Sequence, residues 1–371
     1  MKKLFTLSTL ATFALAAFSA QAQFTVDGTL SATEVGTGVG KYQLAGTYTN
    51  THATADRGLK SLYIGTTATT LNIMVVASPE TTNYQALALY LDMPNKTGIA
   101  AGTQLPGGDD TSSQLRSKPT LDMPVDYAFR VTSSPLGTGG SSTYYSKLDY
   151  TATANTAGNF PDKYLGPADK AGTALVITDA TTNIVDARFA FMTSTSGSVA
   201  SNTSTGWEMQ IPLASLGGAA TGSTIRMMAA YLNDDATFTA ETLPQIAGQT
   251  VALGATPNFS TIAGQQNYSY QVGTGLLAAR AASAELPTSA YPNPLAADSR
   301  LTYTVADASA PVTVTAYNSL GQLALTLLTD APQTTGEHNL ALAPLQKLAA
   351  GVYLLQVRTG NQLSTRRVVI E

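Results

Sequence analysis

Two adjacent tyrosines, Tyr144 and Tyr145, follow a glycine-rich stretch at Gly137–Gly140, and two adjacent carboxylates, Asp109 and Asp110, sit in an earlier run of Gly, Pro, Ser and Asp. A tyrosine ring is a flat apolar face with a polar tip, which suits stacking on a sugar ring. Aspartates accept hydrogen bonds from hydroxyls, and glycine lets backbone approach a ligand closely. Tyr144, Tyr145, Asp109 and Asp110 are therefore the candidate ligand-binding residues. Successive strand residues face opposite sides, so one of the two rings points inward and the other outward. Tyr84, Tyr90 and Tyr164 offer the same chemistry.

Other chemistries find less support. A calcium ion takes about six to eight oxygens, and the carboxylates it would use are Asp92, Asp234 and Asp235. None has EF-hand spacing, and Pro94 and Lys96 stand where further oxygens would be needed. Asn233-Asp234-Asp235 fits a turn held by side-chain bonds to local backbone. No metal site and no cofactor are predicted, a structural calcium being the one exception these residues leave open. With only His52 and His338 and no cysteine, neither a Ser-His-Asp nor a Cys-His arrangement forms without borrowing from the far C-terminal end. Met227 and Met228 sit in an apolar run that fits core packing, not haem ligation. The chain is expected not to be an enzyme. A carboxylate pair for glycoside hydrolysis, brought together from distant positions, is the catalytic arrangement left open.

These residues need elements to hold them. Short apolar or alternating runs predict strands at Leu71–Ala77, Ala86–Asp92, Val125–Thr132, Thr173–Thr178, Ile184–Met192, Gly206–Pro212, Thr224–Leu232 and Asn267–Val272. No dozen residues keep a helical period, so crossover helices are absent and the sheets should be antiparallel. The fold class is all-β, with a large antiparallel, jelly-roll-like β-sandwich. Within it, alternation puts Trp207, Met209 and Ile211 on one strand face and Glu208 and Gln210 on the other, with Pro212 closing the ladder. Trp207, the one tryptophan, is expected in the core. Two long irregular stretches, Gly98–Thr120 and Ser133–Ser142, are where binding is expected, because such loops are uncommon unless they are functional or disordered. Residues 273–288 have linker composition.

The N-terminal end predicts a Sec-type signal peptide. Met1-Lys2-Lys3 supplies the positive start, Leu4–Phe18 the apolar run and Ala20-Gln21-Ala22 the cleavage site, giving a mature chain from Gln23. No stretch reaches the ~18 apolar residues of a membrane-spanning helix. Without Lys2 and Lys3 the chain has 18 basic and 24 acidic residues and no basic cluster, which argues against nucleic acid as partner.

The C-terminal end is a sequence of punctuated strands. It opens on Tyr291-Pro292-Asn293-Pro294, passes Val312–Leu325 with Gly321 inside, reaches Gly351 and Tyr353, and closes with Arg366 and Arg367 before Ile370-Glu371. Residues 289–371 resemble the type A C-terminal sorting domain of the type IX secretion system of Bacteroidetes-type bacteria. That resemblance implies a small Ig-like β-sandwich, engagement of the type IX machinery, and passage through the periplasm to the outer surface or the medium. Phe24-Thr25-Val26-Asp27-Gly28-Thr29-Leu30, a possible strand pair within Leu59–Ala77, Leu87–Asp92, Val125–Tyr127 and Gly206–Gly217 are similar to family 9 carbohydrate-binding modules and DOMON-like sandwiches. This second resemblance implies a glycan partner, although the paired tryptophans of the sugar-binding members are missing.

The organisation expected is therefore a signal peptide (1–22), a carbohydrate-binding-module-like sandwich (23–272), a linker (273–288) and a sorting domain (289–371). The function expected is non-catalytic binding of extracellular glycan by a secreted or surface protein. The alternative is a surface or matrix structural or adhesion protein without a small ligand. An aromatic strip beside the long loops favours the first; a flat surface of Thr and Ser favours the second.

Overall fold

Alternating and continuous apolar runs become antiparallel strands throughout the computed structural model, which describes residues 24–79, 83–135, 137, 139–194, 197–276, 288–305, 311–318, 322–359 and 362–371. Ala20 and Ala22 of the expected cleavage site, residues 277–287 of the expected linker, and Gly321 lie outside the described residues. Among the described residues there is no α-helix, only short 3-10 turns.

The large domain is a sandwich of two sheets. One runs in the order β1 (Gln43–Thr47), β2 (Gly58–Thr66), β3 (Thr70–Ser78), β10 (Gly206–Pro212), β9 (Arg188–Phe191), β8 (Leu175–Val176). The other runs β14 (Gly275–Leu276), β13 (Tyr268–Gln271), β11 (Thr224–Leu232), β4 (Ala86–Asp92), β5 (Tyr127–Ser133), β6 (Thr143–Asp149), β7 (Asp162–Ala168), with β12 (Phe238–Leu243) also paired to β11. The expected pair within Leu59–Ala77 is the β2–β3 hairpin.

Every residue of β4 is buried, and the reason is that its sheet is covered on both faces. Leu87, Leu89 and Leu91 meet the opposing sheet, together with Trp207, Met209 and Ile211. Ala88 and Tyr90 face the other way, into a second apolar layer with Leu105, Leu115, Leu121, Met123 and Phe259. Gly98–Thr120 is thus no free loop. It caps the sheet's second face, which explains how a long irregular segment stays ordered. Met227 and Met228 divide between the same two layers.

The outer face of β10 is covered as well. The Glu208 carboxylate accepts from the Asp27 and Gly28 amides at 2.9 Å each and from the Tyr42 hydroxyl at 2.9 Å, so it holds the N-terminal segment onto the sheet. Gly28, at φ +73°, passes so close to the chain that a Cβ there would lie 2.4 Å from the Met192 amide nitrogen. The Asp27-Gly28 opening is therefore a packing device.

Some strands differ from expectation. The Thr173–Thr178 run is a strand only over Leu175–Val176, and Ile184–Met192 only over Arg188–Phe191, with an isolated bridge from Met192 to Ala171. Asn183 and Asp186 adopt positive φ, 59° and 67°, which breaks the extended backbone before β9. Strands β1, β6, β7, β12 and β14 did not declare themselves in the pattern. β7 carries Gly166 and Pro167, tolerated because it is the edge strand of its sheet. Leu276 donates its amide to Gln43 Oε1 at 3.0 Å, so β14, inside the expected linker, belongs to the large domain's sheet.

The tail is a smaller sandwich. β15 (Thr288–Tyr291), β16 (Arg300–Val305) and β19 (Gly336–Ala341) form one sheet; β18 (Leu323–Ala331), β17 (Val312–Asn318), β20 (Gly351–Thr359) and β21 (Gln362–Ile370) form the other. Leu301, Tyr303, Val314, Leu355, Val357 and Val368 are among the side chains that fill its core.

Candidate ligand-binding site

The second sheet places two aligned rows of side chains where its apolar cover ends. Arg130 on β5 pairs across to Ser146 on β6, and Ser146 pairs to Tyr164 on β7. Thr132 and Tyr144 form the neighbouring pair. Tyr84, just ahead of β4, and Asp110, Ser112, Gln114 and Asp234 from the surrounding loops complete the wall of a concavity of about 390 Å³.

Tyr84 and Tyr164 are 37% and 51% exposed, enough for a ligand to reach their faces. Tyr84 and Tyr144 have ring centroids 6.4 Å apart at 45°, so they form one continuous aromatic patch and not a sandwich slot. The Tyr144 hydroxyl donates to the Ser141 carbonyl at 2.9 Å, which fixes the ring.

Arg130 is 5% exposed. Its Nε donates to the Ser113 hydroxyl at 2.8 Å and its Nη1 to the Thr132 hydroxyl, which in turn donates to Gln114 Oε1 at 3.0 Å. Gln114 Nε2 is itself tied to the Tyr84 carbonyl at 3.1 Å. The guanidinium is thus held in one orientation before any ligand arrives. Burial lowers its pKa, and Asp162 and Asp110 pull it back. Neither acid comes within ion-pair distance, since the ion pairs among the described residues are His52–Glu241, Lys147–Asp149 and Arg226–Asp92. Both carboxylate oxygens of Asp162 are buried without a hydrogen-bond donor. Burial pushes this carboxyl up to about 6; the Arg130 charge and the nearby Ser113 hydroxyl, which is outside hydrogen-bond geometry to it, oppose the shift only in part.

Of the residues expected to bind ligand, Tyr144 and Asp110 meet here. Tyr145 does not: parity turns it into the core, fully buried, with its ring 5.6 Å from Phe189. Asp109 is exposed, but its Oδ1 accepts the Asp162 amide at 2.8 Å and pins the start of β7. Gly137 lines a separate concavity of about 210 Å³, beside Arg57 and Lys170. Tyr90 is buried against Phe238. Arg130, Gln114 and Asp162 went unrecognised in the sequence. The signal was there for Arg130, a lone charge inside the apolar stretch Tyr127–Val131.

The calcium candidates are spread over different tasks. Asp92 pairs with Arg226 at 2.6 Å, and Asp235 accepts the Thr237 amide and hydroxyl at 3.0 and 2.7 Å. Asp234 lies on the concavity wall. Among the described residues no three acids or histidines gather as metal ligands. His52 is 3.0 Å from Glu241, and His338 stacks on Tyr303 in the tail, so neither belongs to the wall.

In the tail, the entry segment closes against the final strand. Asn293 donates to the Arg367 carbonyl at 3.0 Å and accepts the Val369 amide at 2.8 Å, while Arg366 Nε donates to the Thr288 carbonyl at 2.8 Å. Gly351 opens β20, and the Tyr353 hydroxyl donates to the Ala349 carbonyl at 3.0 Å. Tyr291 is 79% exposed. Residues 289–371 are a secretion system C-terminal sorting domain. The family match covers the same span as the resemblance drawn from the Tyr291–Pro294 opening and the closing arginine pair, and it marks the chain as exported to a secreted or cell-surface position.

No curated protein matches the chain. Two solved structures from Porphyromonas gingivalis are similar in part. PorZ, an essential surface component of the type IX secretion system, is 14% identical with a TM-score of 0.18, over 66% of this chain and 37% of its own. Dimeric latent PorU is 11% identical with a TM-score of 0.18, over 89% of this chain and 34% of its own. The chain thus spans just over a third of either protein's length. The family match lies in residues 289–371, outside the large domain, and so does not confirm the resemblance to carbohydrate-binding or DOMON-like modules. No helix of the described residues is long and apolar enough to cross a membrane.

Proposed function

We propose that the large domain is a non-catalytic binding module for extracellular glycan, carried outward by the type IX machinery through its sorting domain. The observation that carries this reading is the convergence of Tyr84, Tyr144 and Tyr164 around the fixed guanidinium of Arg130. Aromatic faces supply apolar contact to the C–H surface of a sugar, and the polar groups between them orient its hydroxyls. A walled concavity favours this reading over that of a flat adhesion or matrix element. The contacts are few and the cleft is open, so a single site should bind with a Kd on the order of micromolar to millimolar. The test is titration of polysaccharides into the mature protein and into a Tyr84→Ala, Tyr144→Ala, Tyr164→Ala triple variant. Binding by the wild type and its loss in the folded variant support the reading. Equal binding by both moves the site elsewhere, and binding of no glycan removes the function.

A further inference from the structure

We infer that the tyrosine concavity selects an uncharged glycan, with Arg130 as the specificity-determining residue that donates to a pair of sugar hydroxyls. The inference rests on the glycan reading above and narrows it to a substrate class.

Arginine carries five N–H donors. The Ser113 and Thr132 hydroxyls occupy Nε and one position on Nη1, whereas Nη2 makes no hydrogen bond to any described residue although Arg130 forms part of the wall. The fork is therefore immobilised on one side and open on the other, an arrangement that can donate to two neighbouring oxygens with little further loss of freedom.

A buried arginine invites the opposite reading, a hook for a carboxylate or sulfate. The surrounding charge argues against it. Asp110 and Asp234 stand on the same wall, and Asp162 and Asp110 are near enough to act on the guanidinium electrostatically. The other cation of this region, Arg116, directs Nη1 at the Thr111 and Ser113 carbonyls, at 2.9 and 3.2 Å. Asp110 stays ionised at neutral pH: partial burial raises its pKa, but the Ser112 hydroxyl and amide, with the Arg130 and Arg116 charges, together outweigh that and hold it below the ordinary value. A uronate or sulfate entering here would meet more negative charge than positive, at separations where salt screens incompletely. Sugar hydroxyls meet no such penalty. They can accept from Arg130 and donate to Asp110, which uses both halves of the site.

The experiment titrates the full mature protein with neutral polymers (hydroxyethyl cellulose, xylan, mannan, dextran) and acidic ones (polygalacturonate, alginate, dextran sulfate) at low ionic strength. At least one neutral polymer should bind about tenfold or more tightly than any acidic one. Arg130→Lys gives up the Nε bond to Ser113 and so loses some stability; read well below its melting temperature, it should lose about tenfold in affinity for the neutral polymer, because an ammonium cannot present the paired donors. Asp110→Asn, at a less buried position, should narrow the gap between the two classes. Preference for an acidic polymer, or an unchanged preference in Asp110→Asn, overturns the inference and leaves glycan binding standing. Failure of every polymer to bind overturns the glycan reading itself, and this inference with it.

Discussion

The rings of Tyr84 and Tyr144 meet 6.4 Å apart although one precedes β4 and the other lies in β6. The pairing of β4 with β5, and of β5 with β6, brings them to one rim. Tyr145, one residue on from Tyr144, points to the opposite side and fills the core.

This parity makes the first prediction. Tyr84→Ala and Tyr144→Ala should each weaken glycan binding by up to about tenfold, the worth of one aromatic contact, with little change in thermal midpoint. Tyr145→Ala should instead cost about 3–5 kcal/mol of stability, as for other buried aromatics. Calorimetric titration and denaturant unfolding on the three variants separate the two roles. Strong binding loss in a stable Tyr145→Ala protein would refute the assignment.

Trp207 supports a second prediction. It is fully buried in the main core, with Nε1 lacking a partner. Replacement by Ala should destabilise the large domain by about 3–5 kcal/mol. A Trp207→Ala domain with an unchanged urea midpoint would show the ring to be dispensable to the core.

Glu208 makes stability depend on pH. Burial pushes its carboxyl from the ordinary 4.5 up to about 7, while bonds from Asp27, Tyr42 and Gly28 pull the other way. Its folded pKa is raised, so the folded protein holds this proton more tightly than the unfolded chain does. The contribution is complete below 4.5 and is lost as pH rises through about 7. The full difference corresponds to about 3 kcal/mol. Glu208→Gln keeps an acceptor for the Asp27 and Gly28 amides and cannot ionise. Urea unfolding between about pH 5 and 8 should show a smaller fall in stability for this variant than for the wild type. Parallel curves would place the titration elsewhere.

The tail gives a fourth prediction. β21 pairs with β20 from Gly351↔Ile370 to Thr359↔Gln362, and Val369 also receives the Leu295 amide at 2.8 Å. Removing Ser364–Glu371 strips most of that strand and the partners of Asn293. In a type IX-competent host the truncated protein should remain in the periplasm, as read by cell fractionation. Normal surface delivery would show that the closing strand is not needed for sorting.

The sequence by itself determined the all-β class, the limits of β4, β10 and β11, the inward face of Trp207 and the opposed faces of Tyr144 and Tyr145. All of these follow from an alternation of period two, which is local and survives in any arrangement of the strands. It says which side a residue faces. It does not say what covers that side. Only the tertiary structure decided that Gly98–Thr120 forms a second apolar layer, that the outer face of β10 lies under the N-terminal segment, and that Tyr84, Tyr144, Tyr164 and Arg130 share one concavity. Those relationships depend on which strands pair across long separations, and pairing is settled by the packing of the whole sandwich.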